Sequence, residues 1–281
     1  MTDVLQAANA PRIIAIVNQK GGVGKTTTAV NLAAALAACG QRTLVIDLDP
    51  QGNASTGVGI PARARTIGVY DVLIGEAELS DAAIPTETPN FDIVPSTMDL
   101  SGAEIELVDM PRREWRLADA MARARAAGGD GYAYILIDCP PSLGLLTLNA
   151  LTAADGALAP LQAEFLALEG LSHLKRTIDL VAERLNPRLS LEGIVITMID
   201  RRMRLAEAVA EEVRGHFGDI VYKAEIPRNV RVSEAPSHGK PVLLYDLGCP
   251  GSRAYLKLAR EFLKRERRLP PAGGVAIGHA A

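Results

Sequence analysis

Eight consecutive residues, Lys20-Gly21-Gly22-Val23-Gly24-Lys25-Thr26-Thr27, combine a glycine turn with two ammonium groups and two hydroxyls. That combination suits a polyphosphate. Glycines let the backbone turn tightly enough for several N–H groups to converge on one anion. A helix starting at the end of the loop adds the positive end of its dipole. Lys25 supplies a point charge for the β- and γ-phosphates, and the Thr26 hydroxyl can ligate Mg²⁺. The match to the general phosphate-loop pattern is close rather than strict. Gln19 stands where the first glycine is usual, and a second lysine, Lys20, leads the loop. One lysine satisfies the phosphates bound by its own loop, so the extra one needs a reason.

Carboxylates follow at two further points. Arg42 to Asp49 reads as a buried strand with Asp47 and Asp49 at its C-terminal end, broken by Pro50-Gln51-Gly52-Asn53. Tyr132 to Asp138 is a second apolar run ending in Asp, followed by Cys139-Pro140-Pro141-Ser142. Apolar residues closing on a strand-tip carboxylate make the Walker B arrangement, able to hold Mg²⁺ through water. In an open parallel sheet, ligands sit outside the carboxyl ends of the strands, so these aspartates share an edge with the phosphate loop.

The elements that must position these groups alternate. The pattern predicts strands at 12–18, 42–49, Phe91 to Pro95, 132–138, Ala157 to Leu161, Leu191 to Ile199 and Val221 to Ile226. It predicts helices at 25–39, stopped by Gly40, at 101–127, at Leu168 to Leu185, at Leu205 to Phe217 and at Tyr255 to Arg268. Residues 54–90 read as irregular, with short helical pieces such as Val69 to Ile74, and 230–250 as loop-rich. The expected fold is α/β, one doubly wound, mostly parallel sheet with helices on both faces. The expected organisation is a short mobile lead-in at 1–11, one phosphate-loop domain at 12–268 and a disordered tail at 269–281.

Composition narrows the class. The formal net charge of −3 means that nucleic-acid binding needs a local basic patch. The three cysteines, Cys39, Cys139 and Cys249, are far apart and unpaired in spacing, which fits free thiols in a reducing cytoplasm. The first ten residues lack the basic start and apolar core of a signal peptide, and no run approaches a membrane span.

The loop K-G-G-V-G-K-T-T, the strand end D-L-D-P-Q-G-N, the stretch I-D-C-P-P-S, P-L-Q-A-E-F-L-A-L-E-G at 160–170 and I-P-R-N-V-R-V-S-E-A-P-S-H-G-K-P at 226–241 together resemble the deviant Walker A ATPases of the MinD/ParA superfamily. Within that group the chain looks like the ParA/Soj chromosome- and plasmid-partitioning ATPases over about residues 12 to 265. The resemblance implies an ATP-bound sandwich homodimer in which Lys20 reaches the phosphates bound by the other subunit and Gly21 stays small at the seam. It implies that Asp49 positions the attacking water, that Asp47 lies near the metal, that Asp138 is the Walker B aspartate, and that Pro227 and Asn229 contact adenine. It implies non-specific binding of double-stranded DNA through Arg202 and Arg231, weakening with salt. It also implies a nucleoid-associated cytoplasmic protein and a ParB-type centromere-binding partner that stimulates slow hydrolysis.

Met203 and Arg204 stand where Thr and Asn are frequent in the family. With eleven residues ahead of the first strand, no N-terminal helix-turn-helix domain is expected. One rival is a MinD-like membrane-associated ATPase using Leu256, Leu258, Phe262 and Leu263 of the last helix. Others are an iron–sulfur reductase subunit of the nitrogenase iron-protein type, and a nucleotide-gated DNA-binding module with negligible turnover.

Overall fold

A computed structural model describes residues 10–128 and 131–267. Most of the expected lead-in, and the whole of the expected tail with residue 268, lie outside the described residues. The strands are β1 Arg12–Ile16, β2 Thr43–Asp47, β3 Ile84–Pro85, β4 Phe91–Val94, β5 Tyr134–Asp138, β6 Gly156–Gln162 and β7 Leu191–Thr197. The helices are α1 Lys25–Ala38, α2 Asn53–Gly57, α3 Val69–Ile74, α4 Leu79–Ala82, α5 Leu100–Glu106, α6 Arg116–Ala126, α7 Leu145–Ala153, α8 Ala167–Arg184, α9 Arg204–Phe217, α10 Val230–Glu234, α11 Val242–Tyr245 and α12 Pro250–Glu266. The sheet runs β3-β4-β2-β5-β1-β6-β7. Only β3 is antiparallel, paired with β4.

Alternation within the strands builds a core on each face. Ile13, Ala15, Leu44, Ile46, Ile135 and Ile137 face a layer that includes α3, α6, α7, α8 and α9. Ile14, Ile16, Val45, Phe91, Tyr134 and Leu136 face α1 and α12. Both faces are covered, so the strands read as continuous apolar runs, as parallel strands do.

Helix α1 lies inside the second layer. Every residue from Thr28 to Ala37 is buried. Alanines let it lie close to the sheet, while Leu32 and Leu36 pack in the same core as Leu258 and Phe262 of α12. Full burial of each such side chain contributes about 1.5–3 kcal/mol.

The structure departs from the expected elements in six places, the first being β3, a strand inside the stretch expected to be irregular. The expected strand at Val221 to Ile226 makes only isolated bridges, Ile194 with Val221 and Ile199 with Pro227. The Tyr222 and Ile226 N–H groups still donate to the Ile194 and Ile196 carbonyls of β7, but the Ala224 N–H between them goes to the Glu261 carboxylate of α12, as does that of Lys223. The expected helix at 101–127 breaks at Pro111, which forces Met110 into extended backbone. Helix α12 starts earlier than expected because Pro250 occupies its first turn and the Cys249 Sγ accepts the Ser252 N–H. The 230–250 stretch contains α10, α11 and a 3-10 turn. Helix α7 has no sequence counterpart, since its apolar residues run all round it.

Candidate functional site

The phosphate loop connects β1 to α1 at the carboxyl edge of the sheet. Gly22 and Gly24 adopt φ of 75° and 88°, the left-handed region where a side chain is strained. Beneath them the Thr197 Oγ1 of β7 donates to the Val23 carbonyl at 2.8 Å. At the front, the Asn18 Nδ2 donates to the Pro160 carbonyl of β6, and the Lys20 N–H donates to the Asn18 Oδ1.

The two lysines take opposite environments. Lys25 is buried, and its Nζ donates to the Lys20 carbonyl at 3.1 Å, across the loop. Burial lowers its pKa, and the charges of Asp138 and Asp49 act the other way. Lys20 is exposed, and its ammonium pairs with Glu164 at 2.5 Å.

Two carboxylates lie directly behind the loop. Asp47 and Asp138 are register partners on β2 and β5, and both are fully buried. The Asp47 Oδ2 accepts from the Ser55 N–H at 2.8 Å and from its hydroxyl at 2.6 Å. Its Oδ1 has no partner, and neither does either oxygen of Asp138. Burial pushes Asp47 up to about 6, against the Ser55 hydrogen bonds. Burial raises Asp138 well above the carboxylate range, and the charge of Asp47 adds to it, while the nearby Thr26 hydroxyl opposes it. Asp49 is buried at the end of the same β2 segment, its Oδ1 accepting the Gln51 N–H.

A cleft of about 550 Å³ continues from the loop. Gly24, Thr27 and Thr197 line one part of it, and Pro227, Asn229 and Tyr255 another. The Asn229 Oδ1 is buried and without a hydrogen-bond donor.

These features fit a magnesium-bound nucleotide. Three orphaned aspartate oxygens lie behind the loop and an orphaned amide oxygen lies in the adjoining cleft. Thr26, Asp138 and Asp47 could hold the ion, and Pro227 and Asn229 a base. Among the described residues, no group of three or more His, Cys, Asp or Glu is placed to hold a metal alone. Magnesium commonly completes its shell with waters and substrate phosphates.

Arg202 and Arg231 do not line this cleft, but the basic cleft beside it shares Pro227 and Arg228 with it. Arg202 is exposed and held by Asp200, with its Nη2 2.6 Å from Oδ2 and its Nε 2.9 Å from Oδ1. It lines a wider cleft of about 710 Å³ with Arg201, Lys223, Arg228, Arg253 and Lys257, against only Asp200 and Glu225. Arg231, on α10, pairs with Glu234 and Asp246 and is not part of that lining.

Several contributors carried no role in the sequence reading. Ser55 holds Asp47, Thr197 supports the loop and Asn18 ties it to β6. Glu164 falls in the 160–170 motif, and only the motif marked it.

A family model described as an AAA domain matches residues 11–191. The ParA chromosome-partitioning protein of Caulobacter vibrioides is 63% identical over 261 residues, covering 93% of this chain and 97% of that protein. The sporulation initiation inhibitor protein Soj of Bacillus subtilis is 54% identical, covering 89% of this chain and 97% of Soj. The chain belongs to the ParA/Soj family. Among solved structures, cobyrinic acid a,c-diamide synthase of Mycobacterium smegmatis with bound ADP and magnesium aligns with a TM-score of 0.79 at 35% identity. That match covers 93% of this chain and 97% of the synthase.

The family assignment sits well with the last helix. Leu256, Leu258, Phe262 and Leu263, which a MinD-like membrane helix would present to lipid, pack into the α1 layer. No helix among the described residues is long and apolar enough to cross a membrane.

Proposed function

We propose that this chain is an ATP-driven DNA-partitioning switch built from one ATPase domain at 12–268. The observation that carries the reading is the opposed setting of two lysines five positions apart in one loop. Lys25 closes onto its own loop and takes the β- and γ-phosphates there. Lys20 points outward, and its task is the nucleotide of a second copy, so ATP occupancy and homodimerisation are linked. A Cβ placed at Gly21 meets nothing within 4 Å in the single chain, so the small size of this residue serves the approach of the second copy.

Thr26 and Asp138, with Asp47 behind them, would hold Mg²⁺, which supplies charge neutralisation at the phosphates. Asp49 orients the attacking water. Pro227 and Asn229 hold adenine, the Asn229 Oδ1 accepting from its amino group. Lys25 and Lys20 together stabilise the charge that develops on the transferred phosphoryl group. The ATP-bound dimer binds double-stranded DNA through Arg202, Arg231 and the basic cleft, which places it on the nucleoid. A ParB-type centromere-binding protein stimulates hydrolysis and releases it.

The test is DNA binding with ADP, ATP and a non-hydrolysable analogue across a salt series. Binding should require a triphosphate and weaken steeply with salt. DNA affinity that is the same with ADP and with the analogue would overturn the switch.

A further inference from the structure

Glu164 has no part in the reading above, yet it holds the residue on which that reading turns. It follows β6, in a tight turn in which the Glu164 N–H donates to the Gln162 carbonyl and the Ala167 N–H donates to the Glu164 carbonyl. Leu166, two residues on, has φ 69°, which fixes the direction in which the chain leaves for α8. On the other side, Asn18 pins the front of the phosphate loop to Pro160 of the same strand and accepts the Lys20 N–H. The two backbones that bear Lys20 and Glu164 are therefore fixed relative to each other by groups other than the ion pair. The pair itself is solvent-accessible, with side-chain exposures of 56% and 43%.

We propose that Glu164 is a positioning residue for Lys20. It parks the ammonium on its own chain, away from its own nucleotide, and gives it up when a second copy presents a triphosphate. The inference rests on the cross-subunit role of Lys20. Two facts define its action. An ion pair this exposed is weak, so it is a reversible restraint and not a lock. Its release leaves a carboxylate without its counterion beside an interface that carries two polyphosphates, a cost that falls on the dimer alone. Glu164 therefore raises the concentration at which dimers close and suppresses closure between chains that lack a triphosphate to offer Lys20.

The experiment measures the dimer dissociation constant by sedimentation equilibrium, with a non-hydrolysable ATP analogue and Mg²⁺. It compares wild type, Glu164→Gln and Glu164→Asp at low and high salt. Gln keeps the size and hydrogen-bonding capacity of the side chain, so a merely structural role predicts no change. The positioning role predicts dimers about two- to fivefold tighter in Glu164→Gln, near wild-type behaviour in Glu164→Asp, and a difference that shrinks as salt screens the charges. Analogue affinity in dilute single chains should match wild type in both variants. If wild type dimerises and Glu164→Gln does not tighten it, the proposal fails alone. If the wild type stays single with saturating analogue, the proposal fails together with the cross-subunit role of Lys20.

Discussion

Replacing Asp47 by Asn should make the nucleotide-free protein lose its electrostatic penalty, and the gain should grow with pH. Asp47 is fully buried beside Asp138, and its pKa rises from 3.8 to about 6. A shift of about 2 units corresponds to roughly 3 kcal/mol between protonation states. The sign follows from proton binding. Below the unfolded pKa both states are protonated and no penalty exists. Between the unfolded and folded values the unfolded chain ionises first, so stability drains as pH rises, and above about 6 the loss is complete. Asn keeps an acceptor for the Ser55 N–H and hydroxyl, and its amide hydrogens meet a region where Asp138 lacks donors. Urea unfolding of both proteins, followed at the single tryptophan without nucleotide or magnesium, gives the difference in stability at each pH. Most of the penalty, about 2 kcal/mol, should appear between roughly pH 4 and 6. Groups remote from Asp47 cancel in the comparison, and Asp138, whose pKa the Asp47 charge raises, shifts in the same stabilising direction. A difference that stays flat or falls across that range would refute the reasoning.

Lys25→Ala should abolish the thermal stabilisation that nucleotide gives the wild type, which is about 2.7 kcal/mol at a hundredfold excess over Kd. Gly21→Val should unfold within about 0.5 kcal/mol of wild type, because the single chain leaves that side open, while light scattering finds no analogue-induced dimer. Arg202→Ala and Arg231→Ala should each weaken DNA binding across all sequences and reduce the salt slope by about 1, with analogue binding retained. Leu258→Ala, in the layer between α1 and α12, should cost about 2–5 kcal/mol in urea titration.

The parts of this molecule legible in the sequence are those fixed locally. Gly-Lys-Thr-Thr after an apolar run marks a loop, a strand end and a helix start together, and carboxylates closing apolar runs mark strand tips. The elements that differ from the sequence pattern depend on distant partners. Val221 to Ile226 has strand character, but Glu261 takes two of its N–H groups, and no local pattern reveals that competition. Helix α7 is buried on every side, so it lacks the period that betrays a half-buried helix. The same limit applies at the site. The sequence marks Lys20 and Asp47 as candidates but not their partners, Glu164 and Ser55, which reach them only when the ends of β6 and α2 are brought to the same edge.

The covering of α1 by α12 bears on how the molecule is made. The nucleotide loop and its helix leave the ribosome early, but the surface that shields the helix is encoded far downstream. Until α12 arrives, the nascent chain holds an alanine- and leucine-rich segment with one side bare, a natural client for a chaperone. The first helix synthesised is thus among the last to be covered, and a chain truncated before α12 should keep the motif and lack the layer that shields α1.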